Sequence, residues 1–316
     1  MSHPLRVQIL LCLLSLALPA TAADPEWFDF QPAPDPLQES ALDLRRLNER
    51  FAGEKGRIIA RGEEFVHATT GQSVRLWAVN GPSTTLTGDA LRQCARRLAK
   101  YGVNLSRLHG ALFDRNGKLD AAKVPRMQET VAALKAEGIH TLFSIYFPLW
   151  MTPSADHPWL KGYDGKQHPF VALMFNPEFQ EQYRGWWKAL LLTPDAQGRR
   201  LVDEPALFAL EIQNEDSFFF WTFNPDQIPG AQRQLLETQF GVWLKQKYGS
   251  LENALSQWKG STSKGDDPAS GRVGFRPLWN MAHEKTARDR DTVRFLFETQ
   301  RNFYVETQRF LREIGF

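Results

Sequence analysis

Ala206-Leu207-Phe208-Ala209-Leu210-Glu211-Ile212-Gln213-Asn214-Glu215-Asp216 is an apolar run that closes on carboxylates and amides. A nearly continuous apolar stretch of this length predicts a buried parallel strand over 206–215. Alternation along it places Glu211, Gln213 and Glu215 on one face, with Glu215 outermost. Glu211 lies two residue pairs deeper and needs a buried partner, for which Arg107 is the obvious choice.

Working outward, the same strand pattern recurs with helices between. Residues 58–66 and 73–80 read as strands joined by the turn residues Thr69-Thr70-Gly71-Gln72. A helix over about 89–101 stops at Gly102, a residue suited to a left-handed helix end, and a strand follows over 103–109. A second helix carries Met127, Val131 and Leu134 on one face and stops at Gly138, with a strand over 139–146. Asn176-Pro177 is a cap followed by proline at the first helical position, opening a helix to about Leu192. Upstream of all of these, Leu37, Ala41, Leu44, Leu47 and Phe51 recur at helical spacing and predict a short amphipathic helix. Alternating strand and helix is the pattern of parallel βα units. No G-x-G-x-x-G follows the first strand, so a dinucleotide fold loses its main support.

The last hundred residues read differently. Residues 232–248 and 251–258 predict helices, with Ser250 as a cap, and 259–274 is a polar loop rich in Gly and Ser. Val293, Leu296, Phe297, Phe303, Tyr304, Phe310, Leu311 and Ile314 mark a long amphipathic helix that ends at Gly315.

Composition narrows the function. Of 316 residues, 42% are hydrophobic and 23% charged, an ordinary globular balance that excludes wholesale disorder. The 38 basic and 36 acidic residues leave a net charge of +2, which points away from nucleic acid and from a polybasic membrane surface. The 22 Phe, 10 Trp and 6 Tyr serve either a stacking surface for ligands or an aromatic core.

Residues 1–22 read as a cleavable secretory signal. Arg6 precedes an apolar stretch over 7–18, Pro19 breaks it, and Ala20-Thr21-Ala22 sets a cut between Ala22 and Ala23. The stretch is too short for a membrane span of about 20 residues. A secreted or periplasmic location is therefore expected, with residues 23–56 as a lead-in and 57–316 as the main domain. After cleavage one cysteine is left, Cys94, so no disulfide framework is possible. Cys94 falls beside Leu91 and Leu98, as a buried structural thiol would.

Three groups carry chemistry. A glutamate beside an asparagine amide suits glycoside cleavage, with Glu215 protonating the leaving oxygen and Asn214 binding the sugar 2-hydroxyl. Carboxylates at the C-terminal ends of barrel strands lie where barrel active sites are built. On the 103–109 strand, Arg107 and His109 alternate onto the same inward face. Arg107 serves either to keep a nucleophilic carboxylate ionised or as a structural partner of Glu211, and His109 is either a site residue or a satisfied core histidine. Tyr146 ends the next strand, and the loop after it holds Trp150, Trp159, Tyr163 and Phe170, a stacking platform for sugar rings or a loop pinned by aromatic packing.

With these motifs in place, the chain resembles the retaining glycoside hydrolases of clan A, the (β/α)8-barrel enzymes that include cellulases, mannanases and β-galactosidases. The resemblance rests on Gly71-Gln72-Ser73-Val74-Arg75-Leu76-Trp77-Ala78-Val79-Asn80, on residues 102–109, on residues 209–215, and on residues 243–258, which look like an insertion of family 5-like and β-galactosidase-like proteins. It implies an α/β TIM barrel with an N-terminal β-hairpin, a carbohydrate substrate and no cofactor. Glu215 matches the acid/base, Asn214 the preceding asparagine and Arg107 the inward arginine, while Tyr146 stands where many members carry histidine. The clan's nucleophile is a glutamate after the seventh strand. Only four strands are counted here, so the chain is expected to be the N-terminal part of a longer hydrolase, ending after the fourth βα unit, and the nucleophile to lie outside it. Asp216, Asp114 and Glu284 are the nearest other carboxylates, and none sits on a strand end opposite Glu215. A catalytically silent carbohydrate-binding barrel is the alternative. Metal-assisted chemistry is weak, because the 7 histidines are scattered. The sugar, the linkage and the oligomeric state are left open.

Overall fold

Short apolar strands bounded by glycine-ended helices leave the chain one economical arrangement, a parallel sheet layered with helices. The computed structural model describes residues 28–31, 35 and 37–316, so the expected signal segment and its cleavage site lie outside the described residues. Residues Glu39–Phe316 form one compact unit. No described helix is long and apolar enough to cross a membrane.

An antiparallel hairpin comes first, β1 (Ile58–Arg61) and β2 (Glu64–His67). Four parallel strands follow in chain order: β3 (Ala78–Asn80), β4 (Leu105–His109), β5 (His140–Ser144) and β6 (Leu207–Glu211). The connections carry α1 (Gly88–Lys100), then α2 (Lys123–Ala136), then α3 (Ala172–Phe175) and α4 (Pro177–Leu192). After β6 come α5 (Gly230–Tyr248), α6 (Leu251–Gln257), α7 (Leu278–His283) and α8 (Ala287–Glu313). The result is a mixed α/β fold with a four-stranded parallel sheet, an arrangement consistent with part of a TIM-barrel-like fold; among the described residues the sheet does not close into a barrel.

The two faces of the sheet differ. Ser106, Leu108, Thr141 and Phe143 are buried, under a core that draws Leu91, Ala95 and Ala99 from α1, Met127, Val131 and Leu134 from α2, and Tyr183, Trp186 and Leu190 from α4. The opposite face presents Asn80, Arg107, His109, Leu142, Ala209 and Glu211, all exposed or half-buried. Register aligns them in rows, Asn80 with Arg107 and Leu142, and His109 with Ser144 and Glu211.

Several local expectations hold for the stated reasons. Gly102 and Gly138 take positive φ after α1 and α2. The Asn176 side chain accepts the Phe179 amide at the head of α4, and Ser250 caps α6 in the same way. Thr286 and Asp289 form a reciprocal capping box that opens α8.

Four expectations are corrected. No amphipathic helix forms over 37–51; a single 3-10 turn, Arg45–Leu47, is present, and Leu42, Leu47 and Phe51 are exposed. Backbone groups in and just after that segment instead cap helix C-termini, Leu44 N–H donating to the Lys100 carbonyl of α1 and Ala52 N–H to the Lys135 carbonyl of α2. The 58–66 strand is in fact two strands, turned by Gly62-Glu63 with Gly62 at φ 64°, the first central position that a two-residue hairpin loop reserves for glycine. Residues 73–80 supply one isolated bridge, Val66 with Ser73, before β3 begins at Ala78. Cys94 is half-buried rather than buried.

Candidate active site

At the C-terminal end of the sheet, Arg107 organises the open face. Its Nε donates to Glu211 Oε2 at 2.7 Å, and its Nη2 lies 2.6 Å from the same oxygen. Nη2 also donates to Asn214 Oδ1 at 2.8 Å and to Ser144 Oγ at 3.2 Å, while Nη1 reaches Asn80 Oδ1 at 3.2 Å. One planar fork thus links all four strand ends, a task for which the fixed geometry of guanidinium is suited and ammonium is not. The expected partnership of Arg107 and Glu211 is therefore formed.

His109 stands one row further out. Its Nδ1 pairs with Ser144 Oγ at 2.8 Å, and its ring meets Trp150 at a centroid distance of 4.4 Å and Phe147 at 6.0 Å. Burial, helped by the Arg107 charge and opposed by Glu211 and Glu215, pulls His109 below the usual imidazole value of 6.5.

Glu215 reaches the mouth by a different route from the one expected. The strand ends at Glu211, so alternation does not carry to Gln213 and Glu215. Residues 212–218 form a turn pinned from three sides. Tyr183 of α4 donates its hydroxyl to the Ile212 carbonyl at 2.5 Å, and Asn214 N–H reaches the Tyr146 carbonyl at 3.4 Å. Gln300 of α8 accepts from Ser217 Oγ and from the Phe218 amide through one oxygen. Glu215 sits at φ 45° in this turn, exposed, beside Asn214. A non-glycine residue there is uncommon and costs about 1–3 kcal/mol, a cost that surrounding structure must offset.

The remaining named residues divide. Arg107, His109, Asn214 and Trp150 converge on the open end of the sheet by the contacts given above, with Glu215 exposed beside Asn214. Tyr146 does not: it is fully buried, stacked with Trp186 at 6.1 Å and edge-on to Phe179 and Tyr183. Burial raises its hydroxyl well above the usual 10, with Asp216 adding to the effect. Tyr163 is buried as well, whereas Phe170 is half-buried and meets Trp221 edge-on at 5.3 Å. Phe219, Phe220 and Trp221 are exposed just beyond Glu215, with Trp221 60% exposed. The aromatic excess thus supplies both a core and a surface. Ser144, Asn80, Gln300 and the exposed 219–221 segment were not among the expected site residues; the four consecutive aromatics over 218–221, just after the acidic cluster, were the legible signal. Glu284 is paired with Arg276, and Asp114 accepts the amides of its own turn.

No protein-family model matches this chain, and no curated protein matches it. Among solved structures, the crystal structure of endogalactoceramidase is similar over 60% of this chain and 49% of that one, at 21% identity and a TM-score of 0.36. The chain thus spans about half the length of that neighbour. At so low a likeness the chemistry has to be read from the side chains themselves.

Proposed function

We propose that the chain carries the general acid/base of a glycoside hydrolase of the retaining, two-carboxylate type. One observation carries the reading: Arg107 ties the Asn214 amide to the strand ends through Oδ1, beside a solvent-facing Glu215. With its oxygen engaged, Asn214 keeps its Nδ2 hydrogens for an acceptor such as a sugar hydroxyl. Glu215 then donates its proton to the glycosidic oxygen as the bond breaks, and takes one from water in the second half of the cycle. His109 and Trp150, 4.4 Å apart between centroids and tilted by 51°, offer an aromatic corner to a sugar ring. A retaining reaction needs a second carboxylate roughly 5 Å from the first. Glu211 is engaged by Arg107 and Asp216 is buried, so this reading assigns the nucleophile to neither.

That engagement of both neighbouring carboxylates favours a second reading, carbohydrate binding without turnover. The two separate in one pair of assays on the full-length protein. Glu215→Gln is expected to lower turnover of unactivated glycosides by about 10²–10⁴-fold, because an amide keeps the shape of the carboxyl but has no acidic proton. Titration of the same sugars, followed by tryptophan fluorescence, is expected to change little. Saturable sugar binding with no Glu215-dependent turnover would favour the binding protein instead.

A further inference from the structure

Asp216 follows Glu215 directly, yet its side chain turns inward and is buried. Its Oδ2 accepts two donors at 2.8 Å from separate parts of the chain, the Val171 amide and Gln213 Nε2. Val171 closes the long loop after β5 and holds φ 55° at the head of α3, a conformation that β-branched residues rarely adopt. Gln213 lies in the turn that bears Asn214 and Glu215. Asp216 Oδ1, Gln213 Oε1 and the hydroxyls of Tyr146 and Tyr163 are buried without a hydrogen-bond partner among the described residues. A buried carboxylate with an unsatisfied oxygen costs stability. The two segments it joins each hold a strained backbone position, Val171 at φ 55° and Glu215 at φ 45°.

We propose that Asp216 is a positioning residue, whose carboxylate fastens the turn bearing Glu215 to the aromatic loop through the Val171 amide and Gln213. This rests on the reading of Glu215 as the acid. The loop from β5 to α3 carries Trp150 and Phe170, and the turn carries the proton donor. A hub between them keeps the ring-binding wall and the acid at a fixed separation, and a misplacement of about 1 Å can cost on the order of 10²-fold in rate.

The test compares Asp216→Asn, Asp216→Ala and Gln213→Ala in the full-length protein by hydrogen exchange and by kinetics on aryl β-glycosides. Asparagine can place an oxygen where Oδ2 sits, so Asp216→Asn is expected to stay close to wild type in both. Asp216→Ala and Gln213→Ala are expected to speed exchange in residues 165–175 and 212–218 together. Their kcat should fall about 10- to 100-fold while KM moves much less. Faster exchange confined to 212–218, or Asp216→Asn as damaging as Asp216→Ala, would overturn the proposal. Should Asp216→Ala not fold, the other two variants decide it. A wild-type protein without Glu215-dependent turnover counts against the reading of Glu215, whereas the coupled exchange of the two segments still judges the tie.

Discussion

Removing the Arg107 guanidinium would release Glu211, Asn214, Asn80 and Ser144 together. Lysine restores the charge but not the fork, so Arg107→Lys is expected to lower kcat/KM by about 10- to 100-fold, as Asn214 loses its anchor. Steady-state kinetics alongside thermal unfolding checks this, and wild-type kinetics would remove Arg107 from the site. The Arg107–Glu211 pair was legible in the sequence because both residues lie within strands, where alternation fixes the face. Glu215 was legible as a residue but not in its setting. The strand stops at Glu211, and what aims Glu215 afterwards is a turn held by Tyr183 and Gln300, partners remote in sequence. The inward turn of Asp216 was not legible, since burial of a carboxylate leaves no local signature in sequence.

Elements show the same division between local and remote causes. Helices ended by glycine or opened by Asn-Pro were readable, because caps are local chemistry. The expected helix over 37–51 was not, because its backbone partners at Lys100 and Lys135 lie far along the chain. The loop over 259–274 is another case. It is held by Arg288 of α8, which is fully buried and donates to Asp266 at 2.6 and 2.8 Å and to the Ser261 and Gly274 carbonyls. Arg288→Ala strands the Asp266 charge and is expected to cost about 3–5 kcal/mol. Calorimetry should show a fall in Tm on the order of 10 °C at this chain length. Gly241 lies in the interior of α5, where glycine is normally unfavourable. A Cβ there would overlap the Gly271 carbonyl of the same loop. Gly241→Ala is therefore expected to destabilise by about 1–3 kcal/mol despite its better helix propensity, and a stabilised variant would contradict that close approach.

At the scale of the whole molecule, opposing titrations shape the pH dependence. Burial, partly offset by the Val171 amide and Gln213 that donate to its carboxyl, pushes Asp216 up to about 7. The folded state therefore keeps a proton that the unfolded chain has lost, and stability falls as pH rises from about 4 to about 7. His140 and His109 are pulled below their usual value, chiefly by burial, so the unfolded chain takes up protons first and stability falls as pH drops below about 6.5. Asp216→Asn removes the first slope and leaves the second. Its Tm is expected to gain on wild type steadily from pH 4 to pH 7, and parallel curves would contradict the buried titration. The sheet's open polar face and the aromatic surface beyond Glu215 are likewise properties of the assembled fold. The sequence shows the aromatic excess but not its division between core and surface. The most direct test of Glu215 as proton donor is the dependence of kcat/KM, which reports the bond-breaking step, on leaving-group pKa across a series of aryl β-glycosides. Wild type should show a shallow slope and Glu215→Gln a steep one, since the poorest leaving groups need the proton most. Equal slopes would mean that Glu215 donates no proton to the departing oxygen.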